Sequence, residues 1–452
     1  MRSGGSNGDR VEVVTHGCRL NAAESATIEA HAEAAGRKGL IVHNGCSVTN
    51  EAVRSLRRAV RRSRREHPEA RIVVTGCAAH TDGDTFRAMN EVDAVIGNAA
   101  KLDPATWRSL LTPNTEPLRV DDPYRVIEDA PHMAPHDMVP HVAAGRHGRS
   151  RAFLAVQNGC DHACTFCSIP QGRGASRSVP VGVAVEEAKR LAEDGVPEIV
   201  LTGVDLTSWG HDLPGTPRLG DLVQAILRHA PDLPRLRLSS IDSVEADPAL
   251  FDALEDERLM PHLHLSLQHG HDLILKRMRR RHGRDEAIAI CAELRRRRPD
   301  IVLGADLIAG FPTETAEHHA ASLSLIEACG LTRLHVFPFS PRRNTPAARM
   351  PPVASEAIKA RARELRERGR LSLGRHLRSR VGTRDVIVVH HGRDGRGRLT
   401  GLARDFSTIA LEWVTPERVA REHEGGSPPA PGALLPVRIM RVEGSTLLAT
   451  PA

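Results

Sequence analysis

The sequence predicts an α/β protein in three parts: an amino-terminal doubly wound parallel sheet, a central partial (β/α) barrel and a small all-β barrel at the carboxyl end. Three observations carry this. Short apolar runs alternate with helical patterns over residues 11–97. A second alternating series of six β/α units fills residues 152–340. Beyond residue 381 the pattern changes to closely spaced β runs. At 452 residues the chain is also too long for one ordinary core.

In the first part residues 11–15, 40–43, 71–75 and 93–96 read as strands, with helices over 22–35 and 51–66. Residues 104–149 are rich in Pro, His and Asp without periodicity, and read as domain-end elements and a linker. In the second part the expected strands are 152–156, 198–201, 236–239, 262–267, 301–308 and 333–337, with helical patterns such as 183–193 and 314–328 between them. An active site would then sit at the carboxyl ends of these strands. A charged helix over 355–380 follows. Residues 385–389, 398–402, 408–413, 434–439 and 447–450 then form the β module. The expected domains are therefore 11–140, 146–380 and 381–452, after a flexible tail at 1–10.

A hydrophobic share of 40% and a charged share of 26% are those of a soluble globular protein. No run approaches 18 apolar residues, so no transmembrane helix is expected. The polar start lacks the apolar core of a secretory signal. A cytoplasmic protein is expected, and in that compartment eight cysteines point to metal binding or catalysis rather than disulfides. The net charge of +6 and pI near 9.1 point weakly to a polyanionic partner.

The strongest local signal is Cys160-Asp-His-Ala-Cys164-Thr-Phe-Cys167, directly after an expected strand. Three thiolates in one loop face a common point, and iron–sulfur cubanes normally take four. A cubane held by three keeps an open iron, to which the amino and carboxylate groups of S-adenosylmethionine (SAM) can chelate. The other reading is zinc, with His162 or a distant residue as fourth ligand. Zinc knots usually come as paired C-x2-C units, and the sequence has no second pair.

The stretch Val156-Gln-Asn-Gly-Cys160 through Cys164-Thr-Phe-Cys167-Ser-Ile-Pro170 to Gly172-Arg-Gly174-Ala-Ser176-Arg177-Ser178 resembles the core of the radical SAM methylthiotransferases. The resemblance continues through Leu201-Thr-Gly203-Val-Asp205, Leu238-Ser-Ser-Ile241, His264-Leu-Ser-Leu-Gln268-His-Gly270, Leu275-Lys-Arg-Met278-Arg-Arg280, Gly304-Ala-Asp306 to Thr315, and His335 to Ser340 with Thr345-Pro-Ala347. It implies a [4Fe–4S] cluster on Cys160, Cys164 and Cys167.

Three further cysteines each follow a strand of the first domain: Cys18, Cys46 and Cys77. Loops at the carboxyl ends of neighbouring parallel strands converge on one crevice. The resemblance implies a second, auxiliary [4Fe–4S] cluster there, carrying the sulfur to be transferred. One SAM would then methylate that sulfur, and another would yield the 5′-deoxyadenosyl radical that abstracts hydrogen from an unactivated C–H bond. SAM contacts are expected from Thr202, Gly203, Ser239 and Gln268 at strand ends. Cys291 and Cys329 sit in apolar helical patterns with no evident partner and read as structural.

The family's substrates are isopentenyladenosine in tRNA, threonylcarbamoyladenosine (t6A) in tRNA, and an aspartate of a ribosomal protein. Asn44-Gly-Cys46-Ser-Val-Thr49-Asn50, Gly17-Cys-Arg-Leu-Asn21 and Leu334-His-Val-Phe-Pro-Phe339 are most similar to the t6A branch, implying methylthiolation at position 37; the cyclised form of t6A is equally open. Gly45 stands where Thr is usual, and its backbone freedom is expected to loosen that loop. His269 and His271 are unusual around Gly270, and Arg343-Asn344 replaces a common Pro-Gly turn. Residues 54–65 carry seven arginines at largely helical spacing, a face suited to phosphates. The carboxyl-terminal module is similar to the TRAM-like RNA-binding barrel that ends these enzymes. A zinc-stabilised RNA-binding protein is the non-enzymatic alternative.

Overall fold

The computed structural model describes residues 11–109, 141–143, 150–242, 246–412 and 428–452. The expected tail at 1–10 and most of the expected linker lie outside the described residues.

In the first domain β1 (Val11–Thr15), β2 (Leu40–Gly45), β3 (Arg71–Gly76) and β4 (Ala94–Val95) pair in parallel in that order. The strands are runs of Val, Ile and Leu because both faces are covered. Val11, Leu40, Val42 and Val73 pack with Ile28 and Ala32 of α1 (Arg19–Ala34). Ile41, Ile72 and Val74 pack on the other face with Val53, Leu56 and Val60 of α2 (Asn50–Glu66). Thr49 caps α2, its side chain accepting from Ala52 N. The strand order contains no reversal, so β1, β2 and β3 lie side by side at ~4.8 Å spacing and the loops that follow them are neighbours.

The central domain begins with β5 (His141–Ala143), antiparallel to β6 (Ala152–Ala155) and not foreseen in the aperiodic segment. A short ribbon, β7 (Gln157–Asn158) and β8 (Arg177–Ser178), follows. The parallel series is β6, β9 (Ile199–Thr202), β10 (Leu236–Leu238), β11 (Ser240–Ile241), β12 (His262–Gln268), β13 (Val302–Ala309) and β14 (Arg333–Pro338). β10 is the expected strand at 236–239, and β11 continues it past a break at Ser239, where the sheet divides in two. The six expected strands are thus all present. Leu154, Leu201, Leu238, Leu265, Leu303 and Leu307 pack outward with residues of the helices Val181–Glu193, Leu219–His229, Arg284–Arg297 and Ala316–Ala328. Alternation therefore turns Arg237, His262, His264 and Asp306 into the lumen. Leu20 and Ala23 of α1 lie against Ala155 and Phe153 on the lumen side of β6, so the first domain is seated in the half-barrel.

The last domain is a closed barrel, β15 (Arg384–Arg393), β16 (Leu399–Leu402), β17 (Thr408–Leu411), β19 (Thr446–Pro451) and β18 (Leu434–Glu443) in spatial order. Closure leaves no free sheet edge. Its turn Ala403–Ser407 enters the amino-terminal end of the lumen. Phe406 stacks on His262 at 4.6 Å between ring centres, and the guanidinium of Arg237 lies 5.3 Å from the Phe406 ring. Arg237 also donates to Arg404 O at 3.1 Å. Among the described residues no helix is long and apolar enough to cross a membrane.

Glu198 anchors this junction. It is wholly buried, accepts from Arg237 Nε at 2.8 Å and Nη2 at 3.1 Å, and lies 3.4 Å from Arg151 and 3.8 Å from Arg235. Burial alone would raise its pKa, but Arg237 foremost among these guanidiniums holds it down to about 2. Glu198→Ala leaves buried guanidiniums uncompensated and is expected to cost about 3–5 kcal/mol, read as a lowered Tm. The contribution is full above an unfolded carboxyl pKa of about 4.3 and fades as pH falls through about 2, so the gap between wild type and variant should close in strong acid.

Candidate functional site: two cysteine sets across a buried arginine

Cys18 stands at the N-cap of α1, Cys46 follows β2, and Cys77 opens α3 (Cys77–Thr81) directly after β3. Gly17 has φ +103°, and a Cβ there would lie 2.5 Å from Cys46 Cβ and 3.0 Å from Cys46 Sγ, so the first two loops touch. Asn21 and Asn44 lace the loops together: Asn21 Nδ2 donates to His16 O at 2.8 Å, and Asn44 Nδ2 to Asn21 O at 2.9 Å and Ser25 Oγ at 3.1 Å. Burial, with Cys77 and Cys18 adding to it, pushes the Cys46 thiol up to about 11. Gly45 does not loosen its loop. A Cβ there would collide with Leu56 Cδ2 and lie 3.1 Å from Ala78 Cβ, so glycine permits close packing of α2 and α3.

The central set hangs on the loop between β7 and β8. Gly159 has φ +76°, and any side chain there would strike Ala175 O. Cys160 N donates to Gly174 O at 3.1 Å, and Cys167 N to Cys164 O at 3.1 Å. Cys167 Sγ accepts from Ile169 N at 3.4 Å, Cys164 Sγ from Arg280 Nη1 at 3.6 Å, and the Cys160 thiol donates to Asp205 Oδ2 at 3.6 Å. Burial pushes Cys167 up to about 12; burial and then the Asp205 carboxylate raise Cys160 as well. Metal binding at such thiols must displace their protons.

The spacing of the sulfurs bears on what they hold. A tetrahedral zinc with Zn–S of ~2.3 Å needs its thiolates roughly 3.8 Å apart. Among the described residues the groups gathered within 4.8 Å of one another are Cys160–His162–Asp205 and His264–Asp306–His335; neither three-cysteine set is among them. Neither set is drawn in to the spacing of one tetrahedral ion, while His162, the ligand of the zinc reading, gathers with Cys160 and Asp205.

The expected SAM residues occupy one mouth. Thr202 ends β9 and Gly203 follows it, Ser239 lies in the break between β10 and β11, and Gln268 ends β12 with φ +66° where the β12–β13 register shifts. Gly203 makes room for Gln157, whose Oε1 accepts from Val204 N and Asp205 N at 2.9 Å each and fixes the Asp205 loop. Ser239 Oγ, Asp242 Oδ1 and Arg280 Nε are buried without hydrogen-bond partners, which is how a cradle for a polar cofactor looks.

The two sets are joined by a residue that motif reading passed over. Arg173 ends α4 (Ile169–Arg173), which starts two residues after Cys167. Its Nε donates to Cys77 Sγ at 3.2 Å, Nη1 to Glu24 Oε1 at 2.7 Å and Asn158 Oδ1 at 2.9 Å, and Nη2 to Asn21 Oδ1 at 2.6 Å and Glu24 Oε2 at 3.1 Å. Lys101 Nζ donates to Glu24 at 2.7 Å, and Glu24 and Lys101 are wholly buried. Burial works against the Glu24 carboxylate, yet Arg173 and then Lys101 hold it at about 2. Asn98 donates to Gly172 O on the same short helix. The sequence did carry a sign of this: Leu20, Glu24 and Ile28 share one helix stripe, an acid where apolar residues belong.

Two expectations change. Cys291 and Cys329 do have a partner, namely each other: they meet side chain to side chain between the helices Arg284–Arg297 and Ala316–Ala328. Asn344 takes φ +62°, so the Arg343-Asn344 turn supplies the left-handed residue a glycine would. On α2, Arg54 and Arg58 pair with Glu51, and Arg64 pairs with Asp93, so the basic face is partly neutralised.

A half-barrel with a C-x3-C-x2-C loop beside the end of its first strand is the architecture of a radical SAM protein. Residues 154–326 match the Radical SAM superfamily, and residues 10–97 match the Uncharacterized protein family UPF0004. The chain is 43% identical to the threonylcarbamoyladenosine tRNA methylthiotransferase MtaB of Rickettsia prowazekii, over 85% of this chain and 89% of that one. It is 32% identical to the MtaB of Thermotoga maritima (75% and 77%), and 33% identical to a tRNA-2-methylthio-N(6)-dimethylallyladenosine synthase of Cereibacter sphaeroides (93% and 100%). The chain belongs to the radical SAM methylthiotransferase family.

Cys77→Ala tests the partition of the two sets. Wild type reconstituted without oxygen should bind ~8 irons per chain and the variant ~4, with SAM cleavage retained and methylthio transfer lost. Iron and sulfide analysis beside a SAM-cleavage assay reads both.

Proposed function

We propose that this protein adds a methylthio group to C2 of N6-threonylcarbamoyladenosine at position 37 of tRNA, in the cytoplasm. The convergence of two three-thiol sets on one domain junction carries the reading. The 43% identity to an enzyme named for threonylcarbamoyladenosine supports that substrate. Asn50 adds support: it donates from its N to Ser340 Oγ and from Nδ2 to Pro341 O, both at 3.1 Å, so a residue of the Asn44–Asn50 segment that is similar to the t6A branch contacts the barrel-mouth loop.

In this reading Cys18, Cys46 and Cys77 hold one [4Fe–4S] cluster and Cys160, Cys164 and Cys167 the other. Together with SAM these groups supply the radical and sulfur chemistry that replaces an unactivated C–H bond by C–S–CH3. The protein's own residues position the components. Thr202, Gly203, Ser239 and Gln268 line the SAM pocket. Arg280, tied to Asp242 at 2.6 Å, donates to Cys164 and fixes the loop of the central set. Arg173 holds the sets in register. Residues 11–140, 146–380 and 381–452 serve as sulfur-donor, radical SAM and RNA-binding domains.

A strain lacking this gene should contain t6A in tRNA but no 2-methylthio derivative, by mass spectrometry of nucleosides, and the purified enzyme should restore it. Unchanged tRNA with a lost methylthio mark on a ribosomal protein, or a missing isopentenyl derivative, would refute this substrate.

A further inference from the structure

The lumen beneath the thiols holds a cation that forms no ion pair among the described residues. Asp306 Oδ1 accepts from His264 Nε2 at 2.9 Å and from His335 Nδ1 at 3.2 Å, so this carboxylate is already shared by two rings. Nearer the amino-terminal end Glu198 is taken by Arg237, with Arg151 and Arg235 beside it. Into the space between comes Arg19, first residue of α1 and neighbour of Cys18. Its guanidinium lies 5.4 Å from the Phe406 ring centre. Among the described residues no carboxylate pairs with it. The guanidiniums of Arg151 and Arg237 lie near it, as do the engaged carboxylates of Glu198 and Asp306, and an arginine keeps its charge. A half-buried cation facing two engaged carboxylates is stabilised by an anion that joins it.

We propose that Arg19 binds the carboxylate of the substrate's amino-acid arm, making the lumen a subsite for the acid group of an N6-acylated adenosine. This rests on t6A being the substrate. The chemistry fits both sides: a guanidinium fork matches a carboxylate bidentately, and the Asp306–His264–His335 wall offers polar edges to the urea and hydroxyl of such an arm. An isopentenyl arm has no charge and would leave the half-buried Arg19 without a counter-charge, so the same residue disfavours it. Arg19 touches the substrate rather than the reacting carbon, so it sets affinity and choice rather than the radical step.

The test uses reconstituted full-length enzyme and stem-loop RNAs carrying t6A, its threoninamide analogue (carboxylate replaced by carboxamide) or isopentenyladenosine. Wild type should favour the acid over the amide by about 30-fold or more in kcat/KM, the scale of a charged hydrogen bond. Arg19→Gln should remove most of that preference, mainly through a raised KM for the acid. Anisotropy of labelled RNA, without turnover, should show the same loss of acid preference in Kd. Because Cys18 is adjacent, iron content and RNA-free SAM cleavage are measured alongside. If Gln loses iron, Arg19→Lys, which keeps the charge, should hold iron and an intermediate preference. An undiminished acid preference in an iron-replete Arg19→Gln enzyme, an Arg19→Lys preference equal to wild type once Gln has lost iron, or a wild type indifferent to acid and amide, overturns the proposal. A wild type that modifies only the isopentenyladenosine RNA instead refutes the substrate itself.

Discussion

A single guanidinium, that of Arg173, fixes the relation between the two halves of the site. All three of its nitrogens donate, and most acceptors belong to the other domain: Cys77, Glu24 and Asn21. A planar fork with fixed donor directions tolerates little sliding, so these bonds set distance and orientation together. The arrangement is also obligatory. Without Arg173, Glu24 would face only Lys101 in a dry interior, and a buried charge short of partners destabilises by several kcal/mol. Because α4 begins two residues after Cys167, whatever holds Arg173 also holds the central cysteines against Cys77.

The rest of the molecule follows from that seat. α1 lies against the lumen side of β6, so Cys18 at its start and Arg19 just after it face different spaces, the crevice and the lumen. The β module closes the amino-terminal end of the lumen with Phe406, its ring among guanidiniums of Arg19, Arg151, Arg237 and Arg333. The cofactor and the reacting base are left the carboxyl-terminal mouth, where strand ends carry small and polar residues, and only the substrate's arm would reach into the lumen. Outward-facing leucines make the barrel a packed scaffold, while its inner face is spent on charge and imidazole.

Much of this was legible from the chain. Both periodicities are strong: the six strands of the half-barrel and the five of the β module stand within a few residues of their expected limits. The cysteines were readable because strand ends are recognisable and parallel neighbours place their loops together. What stayed hidden depends on contacts distant in sequence. Glu24 and Arg173 are 149 residues apart, and neither belongs to a metal motif. The Cys291–Cys329 contact needs the packing of two helices, and β5 needs a partner strand because its own pattern is too short. Gly45 misled because a glycine admits two explanations, freedom or space, and only the packing of Leu56 and Ala78 shows that space is the reason.

The central claim is that two three-thiol sets hold separate iron centres on either side of α4. Anomalous diffraction at the iron edge from crystals of the reconstituted enzyme tests it directly. Two strong iron peaks are expected, one beside Cys18, Cys46 and Cys77 and one beside Cys160, Cys164 and Cys167, separated by the short helix that carries Arg173. A single peak, or a second one away from the first domain's cysteines, would contradict it.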